Sequence, residues 1–214
     1  MAAEGDIDVF VRETFFPGRK AGVLVEIGAA GPDYLSIGQS FRDLGWRVIA
    51  IEPNPEFCAA HLRRGHEVLQ YACGERDEDD VPFTVIDSCG AEYMGGAVSF
   101  ESFSSLGIRD SFANLRAKAN YETLERTIQV KVRRLDTILS EHAPDIQRID
   151  MLAVDVEGWE MEVMKGFSIK RFDPRVVILE NLFADQRYTA YMQDAGYKLA
   201  AAFPPNEIYV PLKP

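Results

Sequence analysis

The sequence predicts an α/β fold, a mostly parallel sheet with helices on both faces. Three observations carry this. The apolar run Val23-Leu24-Val25-Glu26-Ile27 breaks into the small-residue turn Gly28-Ala29-Ala30-Gly31, after which Tyr34, Ile37, Gly38, Phe41 and Leu44 recur at the period of one buried helix face. The same strand-then-helix order repeats at Val48-Ile49-Ala50-Ile51 and leads to Val68-Leu69-Gln70-Tyr71-Ala72, short-connected steps that imply parallel pairing through right-handed crossovers, and it recurs at Met151-Leu152-Ala153-Val154 and Val176-Val177-Ile178-Leu179. The chain closes on two apolar runs, Leu199-Ala200-Ala201-Ala202-Phe203 and Ile208-Tyr209-Val210, joined by Pro204-Pro205-Asn206 as an antiparallel pair.

Composition agrees with one domain over residues 1–214. The chain is 47% apolar and 27% charged, so it can bury a core and is not disordered. A formal net charge of -11 argues against a nucleic-acid backbone as partner and leaves a neutral or cationic small-molecule substrate easier to accommodate. Cys58, Cys73 and Cys89 form no C-x-x-C pair, and three reduced thiols suit a cytoplasmic protein. The first residues lack a basic and apolar export signal, and no stretch is long and apolar enough for a membrane helix.

In chain order, Ile7, Phe10, Val11 and Phe15 stripe a leading helix within residues 1–20, stopped by Pro17-Gly18 and expected near the site mouth. After the second strand, Asn54 is the N-cap and Pro55 the N1 residue of a helix that Gly65 ends. Val68-Leu69-Gln70-Tyr71-Ala72 reads as a third strand. The stretch from Cys73 to Asp80 reads as an acidic turn, and Phe83-Thr84-Val85-Ile86-Asp87 as an added strand. Residues 88–127 show no strand character. Their second half, 108–126, looks helical and charged, and Tyr93, Phe100, Phe103 and Phe112 suit a lid over an apolar substrate, the alternative being a mobile insertion whose aromatics are incidental. Ile128, Val130 and Val132 alternate as a half-buried strand, and Leu135-Asp136-Thr137-Ile138-Leu139 enters a helix. Val163, Met164 and Phe167 mark a helix closed by Gly166; Tyr188, Tyr191, Met192 and Ala195 mark another, stopped by Gly196.

The chemistry follows from acids at strand ends. A dinucleotide fingerprint needs glycine where Glu26 stands, and a carboxylate there repels a diphosphate but attracts a cationic amine or sulfonium. Glu52 ends the second strand, where a carboxylate can accept both hydroxyls of a ribose. Asp155 and the pair Glu180-Asn181 end two later strands. Ligands in such sheets bind at carboxyl strand ends, so all four positions are expected to face one crevice that holds a cation. His61, His66 and His142 lie in or beside elements and read as structural.

Val25-Glu26-Ile27-Gly28-Ala29, Ile51-Glu52-Pro53-Asn54-Pro55, Leu135-Asp136-Thr137-Ile138-Leu139 and above all the D-x-E-G-x-E-x-x-x-x-x-G block from Asp155 to Gly166 resemble the FkbM family of S-adenosylmethionine-dependent methyltransferases, over residues 23–210. The resemblance implies a Rossmann-like class I methyltransferase sheet of seven strands, the last antiparallel, and O-methylation of a hydroxyl on a sugar, polyketide or related metabolite. It further implies that Glu26, Gly28, Ala29 and Gly31 hold the methionine end of S-adenosylmethionine, Glu52 and Pro53 the ribose, and Ala72-Cys73 the adenine edge. Asp155 then sits nearest the methyl, with Asp155 and Glu157 as catalytic candidates and Mg²⁺ as an optional cation on Asp155, Glu180 and Asn181. Two positions depart from the family pattern: Pro32 follows Gly31 where a glycine is usual, and Ala153 stands where a lysine is common. The alternative is a non-catalytic S-adenosylmethionine-binding or assembly protein of the same fold.

Overall fold

The computed structural model describes residues 4–32, 36–87, 92–93, 98–99, 104–111, 113–114 and 124–213. The main sheet has seven strands: β1 (Val23–Ile27), β2 (Arg47–Ile51), β3 (Glu67–Leu69), β9 (Met151–Val154), β10 (Val176–Glu180), β11 (Tyr197–Phe203) and β12 (Asn206–Pro211), in the order β11-β12-β10-β9-β1-β2-β3. The five strands from β3 to β10 pair in parallel, and β12 runs antiparallel to both β10 and β11. The order reverses between β1 and β9. There Val25 is flanked by Ile49 on one side and Leu152 on the other.

Strand alternation sends side chains to two cores. Leu24, Met151, Val176, Ile178 and Ile208 face α1 (Ile7–Phe15) and α2 (Ile37–Asp43) through Ile7, Val11, Phe16, Phe41 and Trp46. Val25, Ile27, Leu152, Val154, Val177 and Leu179 face α4 (Leu135–His142), α5 (Glu160–Lys165), α6 (Ile169–Phe172) and α7 (Gln186–Asp194). Helices therefore cover both faces. α1 docks flat on its sheet face, and none of its residues lines either cavity described below, so the expectation of a helix at the site mouth is corrected. Its apolar stripe finds more area to bury against Phe41, Trp46 and the strands than a cavity rim would provide.

A second sheet, ordered β4 (Ala72–Cys73), β8 (Leu124–Arg133) and β5 (Glu78–Asp87), begins in the chain just after β3, and β6 (Glu92–Tyr93) pairs with β7 (Val98–Ser99). The single third strand expected over 68–72 is thus two strands in two sheets. Tyr71 turns its N–H back onto the Leu69 carbonyl at 3.1 Å, which ends β3 and redirects Ala72-Cys73 to pair with Val132 and Arg133. The expected acidic turn is likewise already strand from Glu78, because Arg133 across the ladder binds the Asp79 carboxylate at 2.6 Å and the Glu78 carbonyl at 2.9 Å. Residues 88–127 are not strand-free: β6, β7 and the first residues of β8 fall within them, and Ser105 exchanges two backbone bonds with Thr84. Residues 110, 111, 113 and 114 are helical, as expected, but 124–126 are strand. Phe100, Phe103 and Phe112 of the expected lid lie outside the described residues, as do Tyr34 and Cys89.

The end of the D-x-E-G-x-E block ties the two sheets together. A Cβ on Gly166 would overlap the carbonyl oxygen of Gly74, the residue after β4. Backbone meets backbone there. No described helix is long and apolar enough to cross a membrane.

Candidate active site

The carboxyl ends of β1 and β9 open into a turn that only glycine can make. Gly28 has φ 75°, and a Cβ on it would run into the Asp155 carbonyl oxygen. Gly28 and Ala29 then donate their N–H groups to the Ile51 carbonyl at 2.9 and 3.4 Å, so the turn lies across the end of β2. Ala30 follows at φ 44°, left-handed for a residue with a side chain.

Glu52, at the end of β2, is 5% exposed. One oxygen accepts the Asn54 N–H at 2.7 Å and the other the Ala30 N–H at 3.0 Å. Burial pushes its carboxyl up to about 7, opposed by these two hydrogen bonds, and Asp155 adds to the rise. Asn54 in turn caps α3 (Pro55–Arg63) by accepting the Glu56 N–H at 3.0 Å, with Pro55 at N1, as the sequence predicts.

Beyond β9 the backbone enters the left-handed region at Glu157 (φ 58°) and Gly158 (φ 92°). Glu160 holds this loop: one oxygen accepts from Val156 N at 3.0 Å and Gly158 N at 3.1 Å, the other from the Tyr188 hydroxyl at 2.6 Å. Burial raises the Glu160 carboxyl, and these bonds restrain the rise. Trp159 donates its indole N–H to the Gly107 carbonyl at 3.0 Å, and the Arg109 guanidinium lies 3.9 Å over its ring and 3.1 Å from Glu162.

These elements line a cleft whose empty space, counted out into open solvent, is about 620 Å³. Gly28, Glu52, Pro53, Ala72, Cys73, Asp155 and Glu157 all line it, seven of the positions named from the sequence. Phe57, Tyr71, Phe83, Leu106 and Trp159 make its apolar wall. The sequence reading missed these five. Trp159 alone carried a signal, lying inside the D-x-E-G-x-E block; the others come from separate elements that only the fold brings together.

The remaining named residues are placed elsewhere. Glu26 shares the Leu24 face of β1 and points beneath α2, accepting from Gly38 N at 2.9 Å and Ser36 Oγ at 3.4 Å, with Arg42 at 3.6 Å. Burial raises its carboxyl against Arg42 and these hydrogen bonds. Ala29 and Gly31 lie in the turn but do not line the cavity. Asp155, Glu157 and Glu180 bring carboxylate oxygens within 4.8 Å of one another. Glu180 is raised well above its ordinary value by burial, then by Asp155 and Glu157, and is hydrogen-bonded to Asp155. Asn181 instead accepts from Asp185 N at 2.8 Å and donates to Asp185 O at 3.1 Å, closing its own turn. Of the four acidic strand ends, only Glu52 and Asp155 share the first cavity; Glu180 approaches Asp155 but faces another space, and Glu26 lies under α2, so the expectation of one crevice for all four is corrected. Glu180 and Asn181 line a second, wider cleft across the loop, about 1020 Å³ when counted out into open solvent, with Arg109, Met161, Phe183 and Arg187.

His61 is fully buried, 3.0 Å from the Ala30 carbonyl through Nε2 and 3.1 Å from His66 Nδ1 through its own Nδ1. His142 Nε2 meets the Tyr71 hydroxyl at 3.0 Å. All three histidines contact protein groups rather than standing in the cavity.

The methyltransferase FkbM domain model matches residues 26–199. Methyltransferase 1 of Beauveria bassiana (strain ARSEF 2860) is 44% identical over 57 residues, 27% of this chain and 22% of that protein. Methyltransferase sdnD of Sordaria araneosa is 40% identical over 82 residues, 34% of this chain and 32% of that protein. The matched segments thus span a third or less of these relatives. The crystal structure of methyltransferase FkbM from Methylobacillus flagellatus KT aligns with a TM-score of 0.54 at 15% identity, covering 93% of this chain and 47% of that one, a likeness of fold. With the domain model matched from β1 to β11, this chain belongs to the methyltransferase FkbM family.

Proposed function

We propose that the chain is an S-adenosylmethionine-dependent O-methyltransferase acting on a hydroxyl of a small metabolite such as a sugar or polyketide. The observation that carries this reading is that Glu52 and Asp155 line one cavity at the point where the strand order reverses, the position at which α/β sheets bind nucleoside ligands. The names of the relatives, all methyltransferases, support it.

The residues present fit the cofactor. Each Glu52 oxygen accepts one backbone N–H and keeps an acceptor site, which suits a pair of ribose hydroxyls. Phe57, Phe83 and Leu106, with Ala72 and Cys73, suit a flat base, and the carboxylates around Asp155 suit a cation. When bound, the cofactor supplies a methyl group activated by a positively charged sulfur. Gly28, Ala30 and Pro53 contribute backbone to its approach, while Ala29 and Gly31 shape the turn from outside the cavity. Asp155, exposed at the end of β9, takes the proton from the acceptor hydroxyl, Glu180 fixes its carboxylate by a hydrogen bond, and Glu157 keeps the rim acidic. Positioning supplies most of the rate in such a displacement, and a well-placed base about 10²–10⁴ more.

Calorimetry with S-adenosylmethionine, followed by transfer of labelled methyl to a panel of hydroxylated sugars and polyketides, tests the reading. Binding and transfer are expected. Binding without transfer to any member would favour the non-catalytic alternative, and no binding would overturn both.

A further inference from the structure

We infer that His61 is a positioning residue of the cofactor site, clamping Ala30 so that the glycine turn and Glu52 act as one unit. The inference rests on the proposed cofactor and goes beyond it by assigning a role to a residue outside the cavity.

The geometry is closed on itself. Ala30 sits at φ 44°, a region that a residue with a Cβ occupies only when held. Both of its backbone groups are held, the N–H by Glu52 at 3.0 Å and the carbonyl by His61 at 3.0 Å. Glu52 also accepts from Asn54 N, and Asn54 caps the helix that carries His61. The ring's protonation follows by elimination. A carbonyl can only accept, so His61 donates from Nε2; burial, with Arg42 and His66 nearby, lowers the ring to about 4 and keeps it neutral. Its Nδ1 must then accept from His66 Nδ1–H. A buried imidazole with a fixed tautomer thus bears on the turn from behind, while Ala30 lines the cavity in front.

The test compares S-adenosylmethionine affinity by calorimetry in wild type, His61→Leu, His61→Gln and His61→Leu with Ala30→Gly, alongside thermal unfolding without cofactor. Loss of one directed hydrogen bond predicts about tenfold weaker binding in His61→Leu. Recovery is expected in His61→Gln, which restores an N–H donor, and in the double variant, where glycine takes up the left-handed turn unaided. A purely structural histidine would lower the unfolding temperature but give no recovery of affinity from Ala30→Gly. Unchanged affinity in His61→Leu, or no recovery in the double variant, overturns the inference. Should His61→Leu fail to fold, long-range ¹⁵N–¹H correlation on wild type decides, since an Nδ1–H tautomer at His61 overturns the clamp. Wild type that binds no S-adenosylmethionine defeats the proposed function instead, and the clamp is then judged by Ala30 amide exchange, which must quicken in His61→Leu.

Discussion

Glu160 accepts the Tyr188 hydroxyl at 2.6 Å through one oxygen and the N–H groups of Val156 and Gly158 through the other. One carboxylate therefore joins α7 to the loop that carries Asp155 and Glu157. It is 1% exposed, so each of its bonds is made without competition from water.

Removing one arm of that junction should be costly. Tyr188→Phe leaves a buried carboxylate oxygen without its donor and is expected to lose about 1–3 kcal/mol in urea unfolding. A loss confined to a few tenths would mean that Glu160 is not the pin described here.

Gly28→Ala faces two penalties at once, the positive φ of 75° and overlap with the Asp155 carbonyl. We expect a loss of about 3 kcal/mol or more, read as a drop in the denaturation midpoint. An alanine variant as stable as wild type would show that β1 and β9 are not crowded at this point.

Glu52 and His61 give pH dependences of opposite sign. The Glu52 carboxyl rises from 4.5 to about 7, mainly by burial, so its contribution is fully present below about pH 4.5 and is lost as pH rises through about 7. The stability of wild type relative to Glu52→Gln should fall over that window. His61 drops from 6.5 to about 4, again mainly by burial; its contribution is present above about 6.5 and is lost as pH falls towards 4. Wild type relative to His61→Leu should therefore gain stability with rising pH. Urea titrations across pH 4 to 7 read both differences, and flat difference curves would contradict the burial of these groups.

Trp159→Phe keeps a ring under Arg109 but removes the N–H that reaches the Gly107 carbonyl. We expect a loss of about 1 kcal/mol and faster amide exchange at Ser105 and Thr84, which pair next to that segment. Unchanged exchange would show that the segment is held without the indole.

Much of this was legible in the chain because apolar runs ending in an acid and a small-residue turn have few other readings. Glu52, Gly28 and Asp155 were found in that way, and all three line the cavity. Glu26 satisfied the same rule yet lies under α2. The two-residue period of β1 already put it on the Leu24 face, away from Val25 and Ile27. What escaped the sequence were dependences on distant residues. The break at Gln70-Tyr71 needs β8 to receive Ala72-Cys73, and Glu78–Asp87 is strand because Arg133 faces its acids. No local window holds both partners.

The crowded meeting of Gly166 and Gly74 gives the last glycine of the D-x-E-G-x-E block a duty beyond ending a helix. Cys73, one residue before Gly74, forms part of the floor of the first cavity. Even a single added methyl at residue 166 would push on the main chain next to Cys73, so the shape of that cavity is set partly by an atom that is missing some distance away.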